Sequence, residues 1–230
     1  MCKLRAHMAN FGGETLATLR EVWLMPRDIG PIVPDARHGD DVVVLVHGFL
    51  ASAGVFRPLR RRLELETGAH VASFSHAPGA RVHRIAHALS RIIDRIPHGA
   101  RIHLVGHSLG GIVARYYVQE LGGFARVAQT ISLAAPFGGA PIAARVPVLV
   151  GSELRPGSAL LARLRHRAGE HGVPHLSIAG TDDRTVPHDA ALDFPHGEQV
   201  SLTGRGHNTL LFDDAAATAI VDRVRAAQRR

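Results

Sequence analysis

Cysteine is nearly absent: Cys2 is the only one in 230 residues, so neither an intramolecular disulfide nor a cysteine-built metal cluster can form. Lysine is just as scarce, since 26 of the 27 basic residues are arginine. No stretch approaches the ~18 consecutive apolar residues that a membrane-spanning helix needs. The opening residues also lack the apolar core of a secretory signal, so the expectation is a reduced, cytoplasmic compartment. Acidic residues are outnumbered, 20 against 27, which gives a net charge of +7. That excess fits either attraction to anionic surfaces such as phospholipid headgroups or a merely solvated basic face. It comes with no nucleic-acid-binding motif, so nucleic acid is not expected as a partner. Among the 16 histidines, His166, His171 and His175 lack the i, i+4 spacing of a helical metal pair, and no metal is assigned.

What is present is enough apolar material, 46%, for one sizeable core. Residues 1–40 read as an N-terminal extension. Leu16, Leu19 and Val22 recur there at helical spacing, and Pro26, Pro31 and Pro34 then give an extended lead-in. From residue 41 to 230 the pattern is regular. Strand-like apolar runs occur at Val42–Val46, His70–Ser75, Ile102–Val105, Val127–Leu133, His175–Ala179 and Gln199–Leu202. Amphipathic helical patterns lie between them, such as Ile85, Leu89, Ile92, Ile93 and Ile96. Ser158 and Asp213 or Asp214 are candidate helix caps. Strand alternating with helix implies an α/β fold of about six parallel strands covered on both faces. On such a sheet, ligands bind at the carboxyl ends of the strands.

The chemistry begins at Gly106-His107-Ser108-Leu109-Gly110, where an apolar strand run passes directly into a helical pattern. This is the G-x-S-x-G arrangement that raises a serine hydroxyl on a tight strand-to-helix turn. Gly106 and Gly110 leave room where a Cβ would crowd that turn. A serine nucleophile needs a base oriented by a carboxylate. His207 is the candidate base, because it follows the last strand run within Thr203-Gly204-Arg205-Gly206-His207-Asn208. The acid should follow the preceding strand, where Asp182 and Asp183 are adjacent and the pattern does not choose between them. Oxyanion donors are expected from the backbone N–H of Leu109 and from the loop His47-Gly48-Phe49-Leu50 after the first core strand. In that loop the His47 side chain reads as an ordering group.

With these residues in place the chain resembles the α/β-hydrolases, and more narrowly the small bacterial lipases and esterases of the Bacillus lipase A type. The matching segments are VVVLVHGF at 42–49, HLVGHSLGG at 103–111, LAAPFGGAP at 133–141, LRPGSALLARL at 154–164, AGTDDRTVP at 179–187 and TGRGHNTLLF at 203–212. The resemblance implies Ser108 as nucleophile and His207 as base. It favours Asp183 over Asp182 as the acid, because in the family pattern the acid is followed by two residues and then Val, often Val-Pro, as in Asp183-Arg184-Thr185-Val186-Pro187. It also implies Phe49 and Leu109 as oxyanion donors, and hydrolysis of carboxylic esters, usually acyl lipids, without a cofactor.

Some readings stay open in the sequence. The interval after LAAPFGGAP is too short for a full cap domain, and Ala143–Val150 reads as an apolar flap or a buried connection. Phe49, Leu50, Phe137, Val148 and Leu149 offer apolar lining or core. The same acyl-enzyme could serve an acyltransferase or a thioesterase, and the fold could also act as a non-catalytic binding module.

Overall fold

Strand β1 (Asp41–Val46) is buried at every position, with Val42, Val44 and Val46 in one apolar layer and Val43 and Leu45 in the other. Side chains alternate between the faces of a strand, so an apolar residue at every step requires cover on both sides. In the computed structural model, which describes residues 2–145 and 149–229, both covers are present. β1 lies beside β2 (His70–Phe74) and β3 (Arg101–His107), followed by β4 (Val127–Leu133), β5 (His175–Gly180) and β6 (Glu198–Leu202). The order across the sheet is β2-β1-β3-β4-β5-β6, and every pair is parallel. The strands match the expected apolar runs to within a residue or two at their ends.

The helices are α1 (Cys2–Leu24), α2 (Arg57–Thr67), α3 (Val82–Ile93), α4 (Leu109–Glu120), α5 (Leu149–Leu154), α6 (Ala159–His166), α7 (His188–Leu192) and α8 (Asp214–Gln228). Leu59 and Leu63 of α2 and Ile220, Val221 and Val224 of α8 pack on the face that holds Val43 and Leu45. The opposite face is covered by the Ile85, Leu89, Ile92 and Ile93 stripe of α3, by Ile112 and Val113 of α4, and by Leu161 and Leu164 of α6. Ser158 caps α6 by accepting from Leu161 N at 3.3 Å, and Asp213 caps α8 by accepting from Ala215 N and Ala216 N. This is the α/β-hydrolase arrangement.

Two segments sit differently from the simplest reading of their patterns. α1 is helical, but Leu16, Leu19, Val22 and Trp23 are 68, 62, 58 and 63% exposed, while Ala17 and Leu24 face the protein. Polar contacts set that orientation. Ser52 Oγ donates to the Met25 carbonyl at 2.6 Å, and Glu14 bonds to residues 208 and 209. In the candidate flap, Ala143 and Val150 are buried in the core, while residues 146–148, Val148 included, lie outside the described residues. Phe137 is core: its ring packs at 4.5 Å from that of Phe194 and edge-on to His175.

Candidate active site

β3 ends at His107, and α4 begins at Leu109, so Ser108 makes the whole turn between them. Its backbone takes φ +52°, ψ −121°, a region that L-residues rarely occupy. Neighbours hold it there. Ser108 N donates to Leu133 O at 2.8 Å, and Ser108 O accepts from Gly111 N at 3.0 Å. The turn leaves no space for extra carbon. A Cβ on Gly110 would lie 1.9 Å from Val46 O, and one on Gly106 would lie 2.3 Å from the Gly110 carbonyl carbon. The hydroxyl thus stands at the N-terminus of α4, where orphan N–H groups and the helix dipole favour negative charge.

β5 and β6 deliver the titratable partners. His207 Nδ1 lies 2.7 Å from Asp183 Oδ2, and both side chains are buried. The other oxygen of Asp183 accepts from Thr185 N and Val186 N, each at 2.8 Å, so the carboxylate cannot swing away without losing both bonds. Asp182 is exposed and accepts from the Thr181 hydroxyl at 3.0 Å. A carboxylate fixed in this way selects the imidazole tautomer with hydrogen on Nδ1, leaving Nε2 to take a proton.

The loop after β1 carries Phe49 beside the turn. Its order comes from a pair of stacked histidines, His47 and His76, with ring centroids 3.8 Å apart. His47 Nε2 accepts from His76 N at 3.0 Å, so His47 Nδ1 carries the hydrogen and donates to Gly48 O at 2.8 Å. Burial pushes the His47 pKa down to about 3, with the His76 charge a lesser cause, so the ring is neutral at ordinary pH. Gly48 passes close to the turn: a Cβ there would sit 3.2 Å from Ser108 Cβ. Among the described residues, the backbone N–H groups of Phe49 and Leu109 donate to no protein acceptor.

A cavity of about 350 Å³ collects these groups. Ser108, His207, His107, Gly48, Phe49 and Leu50 line it, and the N-terminal helix supplies the facing wall through Thr18, Glu21 and Val22, with Met25 just beyond its end. Burial raises the Glu21 carboxyl above its ordinary range, partly offset by attraction to His207. Of these wall residues only Val22 belongs to the apolar spacing read from the sequence, and Thr18, Glu21 and Met25 do not. Their signal is the stripe Glu14, Thr18, Glu21 and Met25 at spacings of four, three and four, on the other side of the helix from the exposed Leu16, Leu19 and Trp23. A second serine, histidine and aspartate also meet: His188 Nε2 lies 2.8 Å from Ser201 Oγ and its Nδ1 3.0 Å from Asp189 Oδ1. That set is on the surface, with Ser201 in the regular strand β6 rather than on a strained turn.

Residues 36–163 match the family described as "Putative serine esterase (DUF676)". The chain belongs to this family. No curated protein matches it in sequence. Among solved structures it is similar to a monoacylglycerol lipase of Paleococcus ferrophilus, with TM-score 0.66 and 18% identity over 84% of this chain and 98% of that one. It is also similar to a Bacillus licheniformis lipase in mature form, with TM-score 0.67 and 15% identity over 84% and 95% of the two chains. Lipase B of Aspergillus fumigatus gives TM-score 0.70 and 17% identity over 85% of this chain and 56% of its own. At these identities the structural likeness is one of fold. No helix among the described residues is long and apolar enough to cross a membrane.

Proposed function

We propose that this serine esterase hydrolyses carboxylic esters of acyl lipids through an acyl-enzyme, with Ser108 as nucleophile, His207 as base and Asp183 as its orienting acid. The observation that carries the reading is the shared cavity, which brings Ser108 on its constrained turn together with a histidine already bound at Nδ1 by a buried carboxylate. In the cycle, Ser108 Oγ attacks the ester carbonyl while His207 Nε2 takes its proton. The Phe49 and Leu109 N–H groups hold the resulting oxyanion, each worth about 3–4 kcal/mol of barrier. His207 then returns the proton to the leaving alcohol, and Asp183 stabilises the imidazolium in between. Water repeats the sequence on the acyl-enzyme and releases the acid.

The lining supports an acyl-lipid substrate. Phe49, Leu50, Val22 and Met25 give one end of the cavity an apolar wall suited to a hydrocarbon chain. Leu16, Leu19, Trp23 and Leu50 are exposed nearby, with Arg20 and Arg27 on or beside the same helix. An apolar patch set with cations suits the surface of an anionic phospholipid layer. The lipases among its structural neighbours are consistent with this reading. The reaction is tested by ester hydrolysis and fluorophosphonate labelling of the wild type and of Ser108→Ala. The variant should lose both.

A further inference from the structure

The peptide group that follows His207 is held at both ends. Its carbonyl oxygen lies 3.2 Å from His107 Nε2, and its N–H, that of Asn208, donates to Glu14 Oε1 at 2.7 Å. A carbonyl can only accept, so His107 is protonated at Nε2. Its Nδ1 is then a bare buried acceptor, without a partner among the described residues. Burial keeps that ring neutral, far below the ordinary histidine range.

Glu14 does more than hold one N–H. Its second oxygen accepts from Thr209 N at 3.1 Å and from Thr209 Oγ1 at 2.6 Å. These N–H groups open a short 3-10 turn, Thr209–Phe212, whose flanking Asn208 provides no side-chain cap. The cap comes instead from a carboxylate 194 residues away in sequence. Bonds from N–H and O–H to a carboxylate are short and roughly twice as strong as neutral ones. Gly206 records the same contact, since a Cβ there would meet Glu14 Oε2 at 2.3 Å. Asn208 Nδ2 adds a bond to Thr18 Oγ1 at 3.1 Å, one turn further along α1.

We propose that Glu14 is a positioning residue for His207, so that helix α1 is a working part of the catalytic unit. A planar peptide fixed at both its oxygen and its nitrogen has no freedom to rotate, and the His207 Cα lies in its plane, so the point from which the side chain leaves the backbone is anchored. His107 and Glu14 therefore aim the imidazole from the backbone side, while Asp183 fixes it at the ring. The loop needs such restraint, because Gly204 and Gly206 make it permissive. The inference rests on His207 being the base.

The test uses the full chain with Glu14→Ala and Glu14→Gln, assayed on a short-chain p-nitrophenyl ester. Misplacing a catalytic group by 1 Å can cost ~100-fold. Glu14→Ala is expected to lower kcat by roughly 30- to 100-fold at a KM within about twofold of wild type, with fluorophosphonate labelling slowed in parallel. The isosteric Glu14→Gln keeps one acceptor for Asn208 N–H and should recover most of that loss, remaining about three- to tenfold down in kcat. A folded Glu14→Ala with kcat within about threefold of wild type, or with the loss confined to KM, overturns the proposal. If Glu14→Ala fails to fold, Glu14→Gln decides, and an unchanged kcat contradicts the assignment. Ser108→Ala is assayed alongside. Activity retained there sinks the reading of the site itself, whereas loss there with full activity in the Glu14 variants sinks only the positioning role.

Discussion

At the scale of single residues, the two neighbouring aspartates carry very different environments for the same side chain. Asp183 spends one oxygen on His207 and the other on two backbone N–H groups, whereas Asp182 faces solvent. Asp183→Asn would offer His207 an amide, which no longer enforces the Nδ1–H tautomer. By analogy with a serine protease, kcat should fall about 10⁴-fold. Asp182→Asn should stay within a few-fold of wild type, and steady-state kinetics on one ester compares the two variants directly. The sequence left these residues tied on its own pattern, because register does not extend into a loop. The family spacing before Val186-Pro187 pointed to Asp183. The turn at Ser108 was more legible, since Gly106 and Gly110 carry the steric requirement in their identity. Glu14 and His107 were not. Their work is done on a backbone peptide in a distant part of the chain, and no local pattern announces that.

At the scale of elements, the sheet and its covering helices were readable because burial imposes periodicity. β1 to β5 are buried along nearly their whole length, and the α3 stripe repeats at three and four. α1 obeys the same helical period, but Leu16, Leu19, Val22 and Trp23 face outward. Periodicity reports that one face differs from the other, not which of them meets the protein. The inward face is set by hydrogen bonds that Glu14, Thr18 and the Met25 carbonyl accept from Asn208 and Ser52. The outward face gives a prediction. Replacing Leu16 and Leu19 together with serine should weaken binding to phosphatidylglycerol vesicles by about tenfold or more, since each loses most of a buried leucine's transfer energy. Vesicle sedimentation measures this. Binding should also fall as salt rises, because the Arg20 and Arg27 contribution is screened. Equal binding of wild type and double variant would remove α1 as the docking face.

At the scale of the whole molecule, the histidines set how the fold responds to acid. His47, His107 and His175 are buried, and burial depresses all three, His47 to about 3 and the other two well below the ordinary value. Above about pH 6.5 these rings are neutral whether the chain is folded or not, and they cost nothing. As pH falls below 6.5 the unfolded chain takes up protons that the folded one refuses, so stability is lost towards the depressed folded values. Each ring contributes a slope of up to about 1.4 kcal/mol per pH unit. Urea unfolding at pH 7.5 and pH 5.0 should therefore show a large drop in stability at the lower value. A stability flat across that interval would mean that these histidines are not held neutral.

The central claim joins all three scales: one serine, raised on a constrained turn between a strand and a helix, performs the chemistry of this esterase. Ester hydrolysis by Ser108→Ala, compared with wild type under conditions where both are folded, tests it most directly. The account predicts a fall in kcat of several orders of magnitude, near the ~10⁶ known for a serine protease nucleophile, together with loss of fluorophosphonate labelling. Hydrolysis within tenfold of wild type, or labelling that persists on another residue, would contradict it.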